Sequence, residues 1–105
     1  MNEAEFNKIA DETFDRIEAS LDHLEVDFDY ESTGGMLTFG FENGVKIILS
    51  RQTPLSQLWL ATPNGAYHFD YLVSKQTWVD EKGKEDLLAV LSRHCSDQSG
   101  EDIQL

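Results

Sequence analysis

The sequence predicts an α+β fold: a two-layer sandwich with two helices packed on one face of an antiparallel sheet of five or six strands. Three observations support this prediction. An amphipathic helical pattern opens the chain, short apolar runs separated by turn residues fill its middle, and a second helical pattern lies near its end. Because short turns join neighbouring runs, adjacent strands should be antiparallel, and the sheet face without helices should meet solvent.

The first helix is predicted from about residue 3 to residue 22. Asn2 and Glu5 form a capping-box pattern at its start. Apolar residues then recur at helical spacing and give the helix a core-facing side. They are Phe6, Ile9, Ala10, Phe14, Ile17 and Leu21. Carboxylates at intervals of three and four residues line another stripe of the helix. They are Asp11, Asp15, Glu18 and Asp22.

Turn residues divide the middle of the chain into short predicted strands. Gly34-Gly35 marks one turn, and Asn43-Gly44 predicts a tight hairpin in which both turn residues take positive φ. The predicted elements after Gly35 are strands at 36–42, 45–50, 57–62, 66–70 and 77–80, followed by a helix from residue 84 to about residue 96.

Residues 25–31 alternate carboxylates with the apolar residues Val26, Phe28 and Tyr30. The carboxylates are Glu25, Asp27, Asp29 and Glu31. A period of two predicts a half-buried strand with all four carboxylates on one face. Neighbours on that face lie about 6.6 Å apart and repel by roughly 0.6 kcal/mol in water, so a bound cation is expected there. The alternative is a solvated acidic face that only keeps the protein soluble.

The length and charge of the chain limit its domain organisation and the kinds of partner that it can bind. The 105 residues predict a single domain, 1–105, with a polar C-terminal tail at 96–105. The net charge is -12, and residues 1–31 hold eleven acids against Lys8 and Arg16, a balance of -9. Such a field repels nucleic acid and anionic membrane and attracts metal cations or a basic protein surface. With one cysteine, no leader pattern and no long apolar run, a cytoplasmic location is expected.

The available chemistry favours a surface metal site over catalysis. Carboxylates without thiolates or paired histidines suit Fe, Mn, Ca or Mg in shallow sites of low affinity. His23 adds an imidazole suited to Fe(II) or Co(II). His94 and Cys95 are adjacent on a predicted helix and point about 100° apart, and no nucleophile elbow or phosphate loop is present, so no enzymatic activity is expected.

Trp59 is the second functional signal. Alternation in 57–61 assigns Leu58 and Leu60 to the core, which leaves Gln57 and Trp59 on the open sheet face. With Gln52 nearby, this surface is typical of an interaction hot spot. The opposite register, with Trp59 in the core, stays open. Trp78 is predicted to be half-buried and Cys95 to be buried.

Three segments make the sequence resemble the bacterial frataxin family, CyaY. They are the Asn43-Gly44 turn, the Gln-x-Pro-x-x-Gln-x-Trp-x-Ala run at 52–61, and Tyr67-His68-Phe69-Asp70. The resemblance implies a frataxin-like sandwich and a role in iron-sulfur cluster assembly. It further implies weak Fe(II) or Fe(III) binding on an acidic ridge, docking of that ridge on a cysteine desulfurase, and contact of the sheet face with the assembly machinery, including a scaffold protein.

Carried over position by position, the resemblance implies a metal-binding ridge. The alternation of carboxylates in residues 25–31 adds Glu31 to this ridge, and the imidazole of His23 adds a nitrogen ligand. The ridge residues implied directly are Asp11, Asp15, Glu18, Asp22, Glu25, Asp27 and Asp29. The predicted partner contacts are Glu18, Asp22, Asp27, Gln52, Gln57 and Trp59. Ala19 and His23 replace acids expected in the ridge, and Ser50 stands where many members have asparagine.

Several functional alternatives stay open at this point. The regulator that docks on the desulfurase competes with an iron chaperone or ferroxidase and, from charge alone, with an acidic mimic of nucleic acid. Other divalent cations can replace iron in all of these readings. The chain is expected to be a monomer without iron, with iron-driven oligomers as a further alternative.

Overall fold

The computed structural model describes every residue from Met1 to Leu105 and contains two α-helices and six strands. The helices are α1 (Glu3–Leu24) and α2 (Leu87–Ser99). The strands are β1 (Asp29–Thr33), β2 (Met36–Gly40), β3 (Lys46–Gln52), β4 (Gln57–Thr62), β5 (Gly65–Leu72) and β6 (Thr77–Asp80). Every strand pairs antiparallel with its neighbours in the chain, in the order β1-β2-β3-β4-β5-β6. The predicted α+β sandwich is confirmed.

Side chains and a left-handed residue set the ends of α1. The Asn2 side chain accepts a hydrogen bond from the Glu5 N–H at 2.8 Å and donates one to the Glu5 carboxylate at 2.8 Å, which completes the predicted capping box. The helix continues to Leu24, two residues beyond the prediction. It stops there because Glu25 takes a left-handed conformation, with φ of 52°, and its N–H bonds the Asp22 carbonyl.

The predicted bounds of α2 were wrong by three residues at each end. The helix starts at Leu87 because the Asp86 side chain caps it, accepting from the Ala89 N–H at 3.2 Å. It ends at Ser99, where Gly100 takes a positive φ of 76°. Neither helix combines the length and the apolar character that crossing a bilayer requires.

Both early turns lie where they were predicted, but the second has a different geometry. Gly34 and Gly35 both have positive φ, 58° and 80°, as a tight two-residue hairpin between β1 and β2 requires. The hairpin predicted at Asn43-Gly44 is confirmed, since β2 and β3 pair antiparallel on either side of it, but its two-residue turn was wrong, because only Gly44 has positive φ. The Asn43 side chain instead accepts from the Val45 N–H at 3.0 Å and donates to Gln98 at 2.9 Å. The loop from 41 to 45 is therefore longer, so that β2 ends two residues before its predicted end and β3 begins one residue after its predicted start.

The core lies between the helices and the inner sheet face. Phe6, Phe39 and Phe69 are fully buried there, and Cys95 is buried as predicted. Trp78 was predicted to be half-buried, but it is only 3% exposed. Its indole N–H donates to the Thr13 hydroxyl at 2.9 Å, which satisfies the one polar group of the ring and permits full burial.

The C-terminal segment is attached to α2. The predicted polar tail begins inside the helix, since α2 continues to Ser99. Ile103 is buried in the core, and its backbone N–H and carbonyl both bond the Ser96 hydroxyl, at 2.9 and 3.1 Å. The Leu105 N–H donates to the Ser92 hydroxyl at 2.9 Å. The chain end thus covers the core beside α2.

Candidate functional site

The predicted acidic residues form a surface along the outer side of α1 and the segment that leads into β1, here called the acidic ridge. Its members are Asp11, Asp15, Glu18, Asp22, His23, Glu25, Asp27, Asp29 and Glu31. Glu18 is half-buried and the other eight are exposed. The chain therefore presents all of its predicted metal-ligating side chains on one continuous stretch, from α1 to β1.

The predicted strand of four carboxylates was wrong in its first half. Glu25 caps α1 and Asp27 lies in a bend, so only Asp29 and Glu31 belong to β1. The reason is the left-handed cap at Glu25, after which the chain must turn from the helix into the sheet. Alternating exposure persists through the bend, with Phe28 buried between exposed Asp27 and Asp29. The carboxylates thus spread around a corner instead of forming one ladder.

One end of the acidic ridge is neutralised by a basic residue from the sheet. Arg51 of β3 forms an ion pair with Asp11 at 2.7 Å, and its guanidinium carbon lies 4.7 Å from the centre of the Phe14 ring. The Arg51 side chain is only 20% exposed, whereas that of Asp11 is 64% exposed. Asp11 is therefore already occupied by a cation from the chain itself and is a poorer metal ligand than the rest of the acidic ridge.

A second contact joins the two parts of the acidic ridge. The Tyr30 hydroxyl on β1 donates to Oδ1 of Asp22 near the end of α1. No three His, Cys, Asp or Glu side chains come close enough together to hold a metal ion. The acidic ridge therefore offers a cation at most two such side chains at one place, and a cation there would keep most of its hydration shell. Metal binding by these residues stays a prediction.

The open sheet face holds Trp59 in the predicted register. Leu58 and Leu60 are fully buried, while Gln57 and Trp59 are half-buried on the opposite face of β4. The Trp59 ring stacks on His68 of β5 with centroids 4.2 Å apart and planes 16° apart. Its indole N–H donates to Oε1 of Gln57 at 2.8 Å.

Polar contacts close a ring around this tryptophan. The Gln57 side-chain amide donates to Asp70 at 3.0 Å and to Glu81 at 3.2 Å. The other Glu81 oxygen contacts Nδ1 of His68 at 3.0 Å. We call Gln57, Trp59, His68, Asp70 and Glu81 the Trp59 cluster. Because each polar side chain in it has a partner, the indole is held in one orientation.

The sequence analysis missed His68, Asp70 and Glu81 as members of this surface. His68 was considered only as part of the segment that carries the family resemblance, yet it pairs with Trp59 in the β4–β5 register. The alternation of β5 carried the signal, because it places His68 and Asp70 on the same face as Trp59. Gln52 lies at the margin, since its only side-chain bond is a long one of 3.4 Å to Ser50.

Shifted pKa values occur around α2, away from both surfaces. Burial, reinforced by the charge of Arg93, lowers the pKa of His94, whose Nε2 lies 2.9 Å from the Tyr67 hydroxyl. Burial raises the pKa of the Cys95 thiol to about 12. The hydrogen bond from Arg93 lowers the pKa of Glu85, and the same bond raises the pKa of Arg93. Cys95 therefore stays protonated and is a core side chain.

Comparison with known proteins identifies the family. The model of the frataxin-like domain matches residues 1–101 of the chain. The chain belongs to the frataxin family. It is 43% identical over 104 residues to the iron-sulfur cluster assembly protein CyaY of Pseudomonas aeruginosa, covering 99% of this chain and 96% of that protein. The protein of the same name from Pseudomonas paraeruginosa is 42% identical, with the same coverage of both chains.

Solved frataxin structures share the fold described above. Frataxin from Psychromonas ingrahamii superimposes with a TM-score of 0.93 at 38% identity, covering 99% of this chain and 97% of that one. Trimeric frataxin from Saccharomyces cerevisiae in complex with ferrous iron has a TM-score of 0.75 at 25% identity, covering 89% and 87%. The resemblance inferred from the Asn43-Gly44 turn, the run at 52–61 and the segment at 67–70 is thereby confirmed over nearly the whole chain.

Proposed function

We propose that this frataxin is an iron-binding regulator of iron-sulfur cluster assembly and not itself an enzyme. The observation that carries the proposal is the acidic ridge, in which eight carboxylates meet solvent or lie half-buried and only Asp11 is paired with a basic side chain. The bacterial relatives named as assembly proteins support the pathway, and the yeast frataxin complexed with ferrous iron supports the metal.

The acidic ridge would act on two kinds of partner. Fe(II) or Fe(III) would bind weakly, because single carboxylates cannot replace most of the hydration shell, and other divalent cations would compete for the same oxygens. A basic patch on a cysteine desulfurase would dock on Glu18, Asp22 and Asp27. Attraction of this kind speeds association and weakens beyond a Debye length of about 8 Å at physiological salt. Iron on the ridge would then reduce its charge and tune the docking.

The Trp59 cluster would supply the second contact, toward the cluster scaffold or the desulfurase. Tryptophans held in fixed, partly buried positions are frequent anchors in protein interfaces. Gln57 and Trp59 fit this role, and Gln52 would contribute from the margin. We place this activity in the bacterial cytoplasm, as a monomer in the absence of iron.

A second candidate is an iron carrier that delivers Fe(II) to the scaffold. The yeast frataxin complexed with ferrous iron favours it, because the metal is present on the protein itself. A carrier would speed cluster assembly, whereas a docked regulator would slow it by changing the desulfurase. A ferroxidase would also remove Fe(II) from solution in proportion to the intact acidic ridge.

The deciding experiment is a reconstituted assembly reaction with desulfurase, scaffold, cysteine and Fe(II), followed by cluster absorbance. We expect the protein to slow assembly and high salt to restore the rate. The double variant Asp22→Lys, Asp27→Lys should have no effect on the rate. The matched control is Asp97→Lys, Asp102→Lys, which reverses two exposed carboxylates outside the acidic ridge and should still slow assembly. Faster assembly would favour the carrier, and an unchanged rate would contradict both.

A further inference from the structure

A cavity of about 330 Å³ opens between α1, α2 and the end of the sheet formed by β5 and β6. Trp78 forms part of its wall and is fixed by the hydrogen bond to Thr13. Ile9, Tyr71 and Leu88 also line the cavity and are half-buried. The volume lies at the lower end of the range of small-molecule sites, roughly 300 to 1,000 Å³. Half of the lining residues are apolar, and this apolar part has room for one large side chain.

Two opposite charges stand beside this apolar lining. Glu12 and Arg16 both line the cavity from α1 and are exposed. Arg16 makes no ion pair with any carboxylate of the chain, whereas Arg51 pairs with Asp11 and Arg93 pairs with Glu85. Arg16 is thus the one arginine of the chain without a carboxylate partner. Its five donors are available to a ligand.

The charges of Glu12 and Arg16 indicate which class of ligand the cavity would bind. A guanidinium binds a carboxylate through two parallel hydrogen bonds, and a carboxylate accepts from an ammonium group. Residues four apart on a helix are neighbours on its surface, so Glu12 and Arg16 can hold opposite charges of one small molecule. A net anion would be repelled by the protein charge of -12, whereas a zwitterion carries no net charge.

We propose that this cavity binds a free α-amino acid with a large apolar side chain. The α-carboxylate pairs with Arg16, the α-ammonium pairs with Glu12, and the side chain lies against Trp78, Tyr71 and Leu88. A residue inside a peptide lacks both charges, and a residue at a peptide terminus lacks one of them. The ligand is therefore the free amino acid.

The amino-acid site is independent of the acidic ridge. At 100° per residue, Ile9, Glu12 and Arg16 point on average about 110° away from the line of Asp11, Asp15 and Asp22 around α1. The two surfaces thus lie on opposite flanks of one helix, with the core-facing side between them. A finding that the acidic ridge binds neither iron nor a partner would therefore not contradict amino-acid binding in the cavity. A finding that the cavity binds no amino acid would likewise not contradict the proposed function of the acidic ridge.

The test uses the two tryptophans as reporters in the full-length protein. L-phenylalanine is titrated into the ¹⁵N-labelled chain, and the indole N–H resonances of Trp78 and Trp59 are followed by NMR. We expect a saturable shift of the Trp78 resonance and no shift of the Trp59 resonance on the open sheet face. 3-Phenylpropionate and 2-phenylethylamine each lack one charge and should bind at least about tenfold more weakly.

Two variants make the test specific. Arg16→Gln should weaken L-phenylalanine binding about tenfold or more. Lys8→Gln removes the same charge from an exposed residue of α1 outside the cavity and should change the affinity less than about twofold. The proposal is overturned if L-phenylalanine and L-leucine both give no saturable shift of Trp78, if the three phenyl probes bind equally, or if the two variants behave alike.

Discussion

The acidic ridge and the Trp59 cluster are built in opposite ways. In the acidic ridge, only two side-chain contacts were found, Asp11 with Arg51 and Tyr30 with Asp22, and most carboxylates project into water. In the Trp59 cluster every polar side chain has a partner in the same group. The side chains of one surface are mostly unpartnered and strongly charged, whereas those of the other hold one another in place.

This difference suits the acidic ridge to long-range electrostatic attraction and the Trp59 cluster to short-range contact. Charge acts over about a Debye length and tolerates side chains that move, so the acidic ridge needs no fixed geometry to attract a cation or a basic protein. An aromatic contact acts only at van der Waals distance and needs its ring in place, which the contacts of Gln57 and His68 provide. We therefore expect the acidic ridge to govern association and the Trp59 cluster to govern dissociation.

The largest expected effect separates these two roles kinetically. With Asp22→Lys and Asp27→Lys the net charge changes from -12 to -8, and the association rate constant for the desulfurase should fall about a hundredfold at low salt. The dependence of the association rate constant on salt concentration should also become weaker. Trp59→Ala should mainly raise the dissociation rate constant. Stopped-flow fluorescence over a salt series measures both rates, and similar rate changes in the two variants would remove the distinction.

The next effect concerns the rigidity of the Trp59 cluster. Gln57→Ala removes the acceptor of the Trp59 indole and the donor shared by Asp70 and Glu81. We expect the free energy of unfolding to fall by about 1 kcal/mol, because the bond from Trp59 is partly shielded from water while those to Asp70 and Glu81 are exposed. Urea denaturation measures it. Gln52→Ala is the matched control and should lower the free energy of unfolding by less than about 0.5 kcal/mol. An equal loss in the two variants would show that the contacts around Trp59 do not contribute to stability.

A smaller effect is expected from cations on the acidic ridge. Magnesium chloride should raise the melting temperature by a few degrees more than sodium chloride at equal ionic strength, because a cation bound to the folded form stabilises it by mass action. The variant with Asp22→Lys and Asp27→Lys should lose this difference. Differential scanning calorimetry provides the measurement, and equal effects of both salts would mean that screening alone relieves the repulsion.

The smallest effect is expected at the contact within the acidic ridge. Tyr30→Phe removes the hydroxyl that donates to Asp22 and should lower the free energy of unfolding by less than about 1 kcal/mol, since the bond is exposed to solvent. Tyr71→Phe, which removes a hydroxyl on β5, is the comparison variant. A loss above about 2 kcal/mol for Tyr30→Phe would show that the acidic ridge is more rigid than we describe.

Regular patterns in the sequence predicted the fold well, and local exceptions caused the errors. The apolar period of α1 and the alternation of β4 gave the core face and the orientation of Trp59, because burial imposes those periods directly. The left-handed cap at Glu25 and the side-chain cap at Asp86 broke a regular pattern at one residue. Such caps depend on which of several alternative hydrogen bonds forms at the helix end. The periodicity of apolar residues does not show which one forms.

The candidate site shows the same division. Exposure of the acidic ridge followed from the spacing of its carboxylates, but the pairing of Asp11 with Arg51 joins residues forty positions apart. The stack of Trp59 on His68 likewise depends on the register between two strands. A single sequence specifies which face a residue occupies, whereas its partner on that face depends on how distant segments meet.

β1 is one of the two outermost strands of the sheet, so one row of its backbone N–H and carbonyl groups has no strand beside it. An uncovered strand of this kind invites another chain to add on and extend the sheet. Asp29 and Glu31 oppose this, because a second copy would bring like charges face to face. A cation that neutralised them would remove that protection, so metal binding at these two carboxylates would be coupled to self-assembly through the sheet edge.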